Sequence, residues 1–339
     1  MRPKTSNTQR KILIIRFSAL GDVAMTIPLI RAFKRAFPEV EVSVLSKPLP
    51  LKLFLSERGL NNISFDSKKY RGILGLWKLS REVVAKGITD VADLHFSLRS
   101  RILCFFLRLN GLNTNQRNKQ RRLRARWTKK GPKPKERLDT QIQSYLKVLS
   151  NLGFKIEEPM LRSSNEVARL RKPTKNIGVA PFAAHPHKTY PKDLMRQLLI
   201  ELNKKYRTVL FGAAGTESKQ FDRWVSEGIA YENTATLSFE TQMQKMSDLG
   251  LMISMDSANG HIAANYGLPV ITLWGATTPD CGFSVFGQPE ENQMLPDPVK
   301  YPYLPASIFG KSTFPGYESA MKSIDQQAII ERINQLMLP

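Results

Sequence analysis

Apolar runs of strand length alternate with stretches of helical periodicity along most of the chain. Lys11–Phe17 (KILIIRF) is almost continuously apolar, the pattern of a strand covered on both faces. A tight turn, Ser18–Asp22, follows it. Ile27, Ile30, Phe33 and Phe37 then recur at helical spacing and predict a helix over Val23–Phe37. Pro28 sits near the start of that helix, where a missing N–H is tolerated, and Pro38 ends it. Glu41–Leu45 (EVSVL) predicts a second strand. Helices are expected over Leu49–Gly59 and Ile73–Gly87, a strand over Ile88–Leu94, and helices over Ser97–Leu109 and Leu138–Leu152. Residues 155–174, with Pro159, Pro173 and many charges, predict a linker between two halves.

The second half repeats the alternation: a strand at Asn176–Pro181, a helix at Pro191–Tyr206, a strand at Thr208–Gly212, a helix from Thr216 and another at Ser238–Met246. Leu251–Gly275 (LMISMDSANGHIAANYGLPVITLWG) is a complete strand–loop–helix–strand unit. Leu251–Met255 and Val270–Trp274 are its strands and His261–Tyr266 its short helix, with Gly267 and Pro269 placed to stop it. Residues 276–322 read as irregular excursions and Ser323–Met337 as an amphipathic helix. Alternating βα units predict parallel sheets with helices on both faces. Ligands of such sheets sit beyond the carboxyl ends of the strands, and the loop Asp256–His261 occupies that place with N–H groups suited to a phosphate.

Composition narrows the classes. The 339 residues suggest about two domains, and 42% apolar with 9% aromatic residues excludes wholesale disorder. Cys104 and Cys281 form neither a disulfide framework nor a metal motif. No apolar run approaches the ~18 residues of a spanning helix. The polar start MRPKTSNTQR has no apolar run behind it, so the expectation is a cytoplasmic protein. Net charge is +22, from 51 Lys+Arg against 29 Asp+Glu, which implies an anionic partner. The excess concentrates between Arg117 and Arg137. That tract reads either as a solvated loop or as a loop that docks on anionic lipid or a phosphorylated acceptor. A nucleic-acid-binding protein using residues 117–137 is the alternative from another class. The tract's one aromatic, Trp127, and the lack of a zinc finger or RNA-recognition motif weigh against it.

Two motifs carry a resemblance. R-x-S-A-L-G-D-V-x-x-T-x-P at Arg16–Pro28, and D-S-x-x-x-H-x-A-A followed by G-x-P-V-x-x-L-W-G at Asp256–Gly275, resemble the signatures of the ADP-heptose:lipopolysaccharide heptosyltransferases, glycosyltransferase family 9. Lys188-Thr189-Tyr190-Pro191 matches that family's K-x-[aromatic]-P motif. The resemblance implies an α/β GT-B architecture of two doubly wound Rossmann-like domains facing a cleft, with the C-terminal helix crossing back to the first. The expected limits are 1–165 for an acceptor-binding domain with basic loop 113–137, 170–322 for a nucleotide-sugar domain, and 323–339 for the crossing helix. It further implies an inverting, metal-independent transfer of heptose from ADP-heptose to a hydroxyl of a lipid A-linked inner-core acceptor. The partners would be the donor, an anionic glycolipid and the cytoplasmic face of the inner membrane, with no cofactor. A same-fold enzyme using another nucleotide sugar or surface-glycan acceptor is the alternative.

Residue by residue, Asp22 is either a first-turn carboxylate or, as the resemblance implies, the general base. Lys188 is a solvated loop lysine or the cation that meets the departing diphosphate. Asp256 and Ser257 form an Asx-turn and N-cap, or contact the donor with Ala258 and His261. Ala258 stands where the family usually has glycine, and Ala183 and Ala184 stand where it often has hydroxyl residues, so any phosphate contact from these two is through backbone. Glu217 is a helix-start glutamate or a ribose contact. Leu237 is the candidate adenine contact through its backbone. Ser18, His95, Arg99 and Arg101 are assigned to the acceptor, with Arg99 and Arg101 equally readable as surface arginines. The four histidines (95, 185, 187 and 261) make no metal-ligand spacing, and no essential metal is expected.

Overall fold

The computed structural model describes residues 10–157 and 174–337. Most of the expected linker, from 158 to 173, lies outside the described residues. The chain forms two compact units, one of residues up to Lys119 with the stretch from Gln141, the other of Gln120–Thr140 with the chain after the linker.

The first unit holds five strands: β1 (Lys11–Ile15), β2 (Glu41–Ser46), β3 (Leu60–Ser64), β4 (Asp90–Asp93) and β5 (Asn113–Gln116). Their order is β3-β2-β1-β4-β5, and every neighbour is parallel. Ile12–Ile15 are wholly buried, as an apolar run in a two-sided sheet requires. The expected helix over 49–59 is instead two short turns, Pro48–Leu51 and Lys52–Phe54, because Pro50 lacks a donor and the chain soon enters β3. On one face Leu76, Leu79 and Val83 of helix Gly72–Ala85 meet Leu103 and Leu107 of helix Leu98–Leu109.

The second unit holds six strands: β6 (Asn176–Ala180), β7 (Arg207–Leu210), β8 (Glu232–Asn233), β9 (Leu251–Met255), β10 (Val270–Leu273) and β11 (Gln293–Met294). Their order is β11-β10-β9-β6-β7-β8, again parallel throughout. Its core joins Ile253 and Leu273 to Leu198, Leu202, Phe221 and Trp224.

Two segments are placed by what they pack against. The last helix, Gln326–Leu336, is capped by Asp325, which accepts from the Gln327 N–H. Its Ile329 and Ile333 are wholly buried in the second unit's core, and Asn334 accepts from Tyr206. Its apolar face thus packs into the core of the unit it follows. The basic tract also divides. From Gln120 it belongs to the second unit, where Leu123, Trp127 and Leu138 form a small apolar cluster with Cys281 and Ile308. Among the described residues, no helix is long and apolar enough to cross a membrane.

Candidate active site

In a doubly wound parallel sheet, the loops after two adjacent strands diverge where strand order reverses, and a crevice opens there. In the first unit this point lies between β1 and β4, and in the second between β6 and β9. The candidate residues gather at these two points.

After β1 the chain turns through Ser18 into a short helix, Leu20–Ala24, that carries Asp22. Asp22 Oδ2 accepts from the Ala19 N–H (3.3 Å), so the first-turn role is real. Its other contacts exceed that role. Arg16, at the end of the β1 run, pairs with Oδ2, and Gln141 Nε2 donates to Oδ1 at 2.5 Å. Burial pushes the Asp22 carboxyl up. Arg16, Gln141 and the more distant Arg117 overcome that and hold it below the usual carboxylate range. Arg16 has a side chain only 6% exposed, and its Nη1 donates to the Leu94 carbonyl at 2.6 Å. Burial would favour losing its proton, but Asp22, Tyr145 and Asp93 keep the guanidinium charged.

The loop after β4 brings His95 to the same place. Asp93 Oδ1 accepts from the His95 and Phe96 N–H groups (3.0 and 2.9 Å), and Gln116 donates to Oδ2. The His95 ring bonds the Ser18 backbone and lies edge-on to Phe17, while Nδ1 is buried without a partner. Burial, then Arg16 and Lys119, hold its pKa at about 4, so the imidazole is neutral at physiological pH. Ser18, Asp22 and His95 are therefore together. Arg99 and Arg101 are exposed on helix Leu98–Leu109, with Arg101 over the Phe96 ring (5.2 Å).

At the second switch point Lys188 ends a 3-10 turn, Pro186–Lys188, after β6. Its Nζ pairs with Asp256 Oδ2 at 2.7 Å, with side chains 13% and 7% exposed. Thr277 Oγ1 donates to the same oxygen at 2.8 Å. Asp256 follows β9 directly, and Ser257 is the N-cap of helix Ala258–Ala264. Ser257 Oγ bonds Ser254 Oγ (3.0 Å) instead of capping the helix. His261 is buried on that helix. Gly310, at φ +74°, lies so close to the Lys188 stem that a Cβ there would overlap its Cγ and Cδ.

Glu217 lies in the first turn of helix Thr216–Ser226, which follows β7, and Leu237 on the loop after β8. Glu217 Oε2 accepts from the Ala213 N–H (2.8 Å), so one of its oxygens holds its own loop. The Leu237 N–H donates to the Thr234 carbonyl (2.9 Å), and its carbonyl accepts from Gln242 Nε2 on the helix that follows (3.3 Å). The Ala183 N–H already donates to Thr189 Oγ1 (3.3 Å), while Ala184 is exposed. Among the described residues, no group of three or more His, Cys, Asp or Glu is placed to hold a metal ion.

Arg16, Gln141, Thr277 and Gly310 were not singled out from sequence for these roles. A lone arginine ending a buried strand is a visible signal for Arg16. Nothing local marks the other three.

The chain matches the family model of glycosyltransferase family 9 (heptosyltransferase) over residues 76–282, more than half its length. Lys188 and Asp256 fall inside that match and Asp22 outside it. Among solved structures the chain is similar to a glycosyl transferase family 9 protein from Veillonella parvula DSM 2008, at 17% identity over 98% of each chain with TM-score 0.71. It is similar to E. coli ADP-heptose lps heptosyltransferase II, at 19% identity over 96% and 98% of the two chains with TM-score 0.66. It is also similar to E. coli heptosyltransferase WaaC with ADP, at 15% identity over 96% and 99% with TM-score 0.65. The likeness is one of fold, the GT-B kind. No curated protein sequence matches the chain.

Proposed function

Because the chain belongs to glycosyltransferase family 9, the heptosyltransferases, we propose that it moves heptose from ADP-heptose to a hydroxyl of a lipid A-linked inner-core acceptor. The buried Lys188–Asp256 pair carries this reading. It lies at the switch point of the second sheet, inside the residues that the family model matches. An ammonium has three donors. Asp256 holds one, and the others are available to a diphosphate. Asp256 and Thr277 would thus aim the cation, and the pair's neutrality spares the diphosphate a bare carboxylate.

The transfer is a single displacement. The acceptor oxygen attacks the anomeric carbon, its proton passes to the Asp22 carboxylate, and the bond to the diphosphate breaks with its electron pair on ADP. Configuration inverts. Asp22, held ionised by Arg16 and Gln141, is ready to accept a proton at neutral pH. Ser18 and His95 lie beside it for the acceptor, Arg99 and Arg101 offer cations for the acceptor's anionic groups, and the loops of Ala183, Ala184, Glu217, Leu237, Ser257, Ala258 and His261 receive the donor. With Lys188 meeting the leaving charge, the step uses no metal and no cofactor. The reaction would take place in the cytoplasm, at the inner face of the membrane that holds the acceptor.

Thermal shifts with ADP, UDP, GDP and ADP-heptose test the donor. A ligand at 100 times its Kd adds about 2.7 kcal/mol. A shift confined to adenine nucleotides, followed by a heptose-sized mass gain on a lipid A-linked acceptor in EDTA, is expected. A preference for UDP or GDP would discard ADP-heptose.

A further inference from the structure

The basic tract has a structure of its own. In helix Arg121–Trp127, Leu123, Arg124 and Trp127 are buried, while Arg121, Arg122, Ala125 and Arg126 are exposed. At about 100° per residue the exposed positions span an arc of about 140°. Three arginines therefore share one face, and the opposite face is fastened to the unit. The fastening is specific. Leu123 and Trp127 pack with Cys281 and Ile308, and Trp127 Nε1 donates to the Glu136 carbonyl (2.9 Å). Lys133 turns inward, donating to the carbonyls of Trp127, Lys129 and Pro305 (2.9, 3.1 and 3.1 Å). Lys129, Lys130, Lys135 and Arg137 are exposed along the return. Seven exposed cations thus face one exposed carboxylate, Glu136.

Against the helix lies Phe309, 50% exposed, its ring centroid 5.9 Å from the guanidinium of the buried Arg124. Its neighbour Gly310 packs on Lys188. The basic face and the Lys188 pair are thus joined by two consecutive residues of one unit.

We propose that Arg121–Arg137, with Phe309 at its edge, is the surface by which this protein docks on an anionic bilayer. A broad cationic face with an exposed apolar ring suits a lipid surface, where the cations meet headgroups and the ring enters the boundary. Nucleic acid is the poorer fit, since Trp127 is buried and no other aromatic of the tract is present to stack on a base. The docking adds to the proposed lipid-linked acceptor a reason why the donor-binding unit itself should meet the membrane. The contact does not depend on which sugar is moved.

Co-sedimentation of the full chain with phosphatidylcholine vesicles, with and without phosphatidylglycerol, tests it. Wild type should bind the anionic vesicles only, and lose them at high salt. Each Lys or Arg near such a surface adds about fivefold to partitioning. The variant Arg121→Gln, Arg122→Gln, Lys129→Gln, Lys130→Gln should therefore lose about six-hundredfold. The pair Lys129→Gln, Lys130→Gln, outside the helix and its packing, should lose about 25-fold and guards against misfolding of the larger variant. Equal binding to neutral vesicles, or unchanged binding by the pair variant, overturns the proposal. So does single-stranded RNA that displaces the vesicles and is itself released by the same substitutions. The ADP thermal shift is read in parallel. Its absence in wild type would sink the donor reading and leave the vesicle result standing.

Discussion

Asp22→Asn separates what the carboxylate does for the fold from what it does for the reaction. The substitution keeps shape and removes charge, leaving Arg16 buried without its counterion. Removing one partner of a buried pair costs about 3–5 kcal/mol. Arg16 keeps the Leu94 carbonyl at 2.6 Å, and the Asp22 side chain is 17% exposed, so the lower end, about 3 kcal/mol, is expected. For a unit of this size that lowers Tm by about 6–12 °C. Turnover should fall by about 10²–10⁴, the usual contribution of a general base. ADP affinity, which the proposed function assigns to the second unit, should not change. The double variant Arg16→Met, Asp22→Asn removes both charges and should recover most of the lost stability with none of the lost turnover. The assays are calorimetric melting, ADP titration and heptose transfer on the same set of proteins. Recovery of turnover in the double variant would refute the base assignment and leave Asp22 a structural partner of Arg16. The effect also has a pH sign. A carboxyl with a lowered folded pKa contributes its full stability above the unfolded value near 4 and loses it as pH falls through the folded value. Melting at neutral pH therefore reads the whole difference, and the gap between wild type and Asp22→Asn should close on acidification below about pH 4.

Gly310→Ala should displace the Lys188 stem and strain a positive φ, costing about 1 kcal/mol of stability and a larger share of turnover, read by melting and transfer assays. Unchanged kinetics would show that Lys188 need not sit where Gly310 holds it. His95 has its pKa lowered to about 4, so the folded state binds fewer protons than the unfolded one between there and about 6.5. Stability should fall as pH drops through that window, and His95→Gln should remove this component of the slope in Tm against pH. Cys104 and Cys281 are wholly buried, and burial raises both thiols, Cys281 to about 12. Neither should react with a thiol reagent until the protein unfolds, and fast labelling of the native chain would contradict that.

Central strands were legible because burial on both faces leaves a plain trace. KILII, EVSVL, LMISM and VITL are apolar runs; the structure keeps the bounds of LMISM and moves one end of the others by a residue or two. The edge strands were not. β3 is LNNIS and β5 is NTNQ, sequences that read as loop, and each forms by pairing with the apolar strand beside it. β8 and β11 have two residues apiece. The basic tract misled for a related reason. Leu123, Trp127 and Leu138 are too few to announce a core, and their apolar partners, Cys281 and Ile308, lie far along the chain in a stretch that reads as irregular.

The two chemical clusters were legible as motifs but not as pairs, and strand order explains why. A loop's place at the carboxyl end of a strand follows from local pattern. Which other loop faces it depends on which strands are neighbours. β1 lies between β2 and β4, and β6 between β7 and β9, so each is flanked by a sequential strand on one side and a distant one on the other. Those second neighbours bring His95 beside Asp22 and Asp256 beside Lys188. The charges then become strong partners because one of each pair, Arg16 or Asp256, directly follows a buried strand, where water is scarce and an unpaired ion is costly. Arg16 against Asp22 and Lys188 against Asp256 are the same solution made twice. Each sheet ends its central strand in a charge that folding must pair, and the pairing leaves a cation or carboxylate already oriented where the sheet opens. If that is what the pairs are for, exchanging Lys188 and Asp256 should retain much of the stability and abolish turnover. The exchange keeps the Coulomb energy and reverses the charge offered to the diphosphate. An exchanged variant that still transfers heptose would break the link between pairing and function.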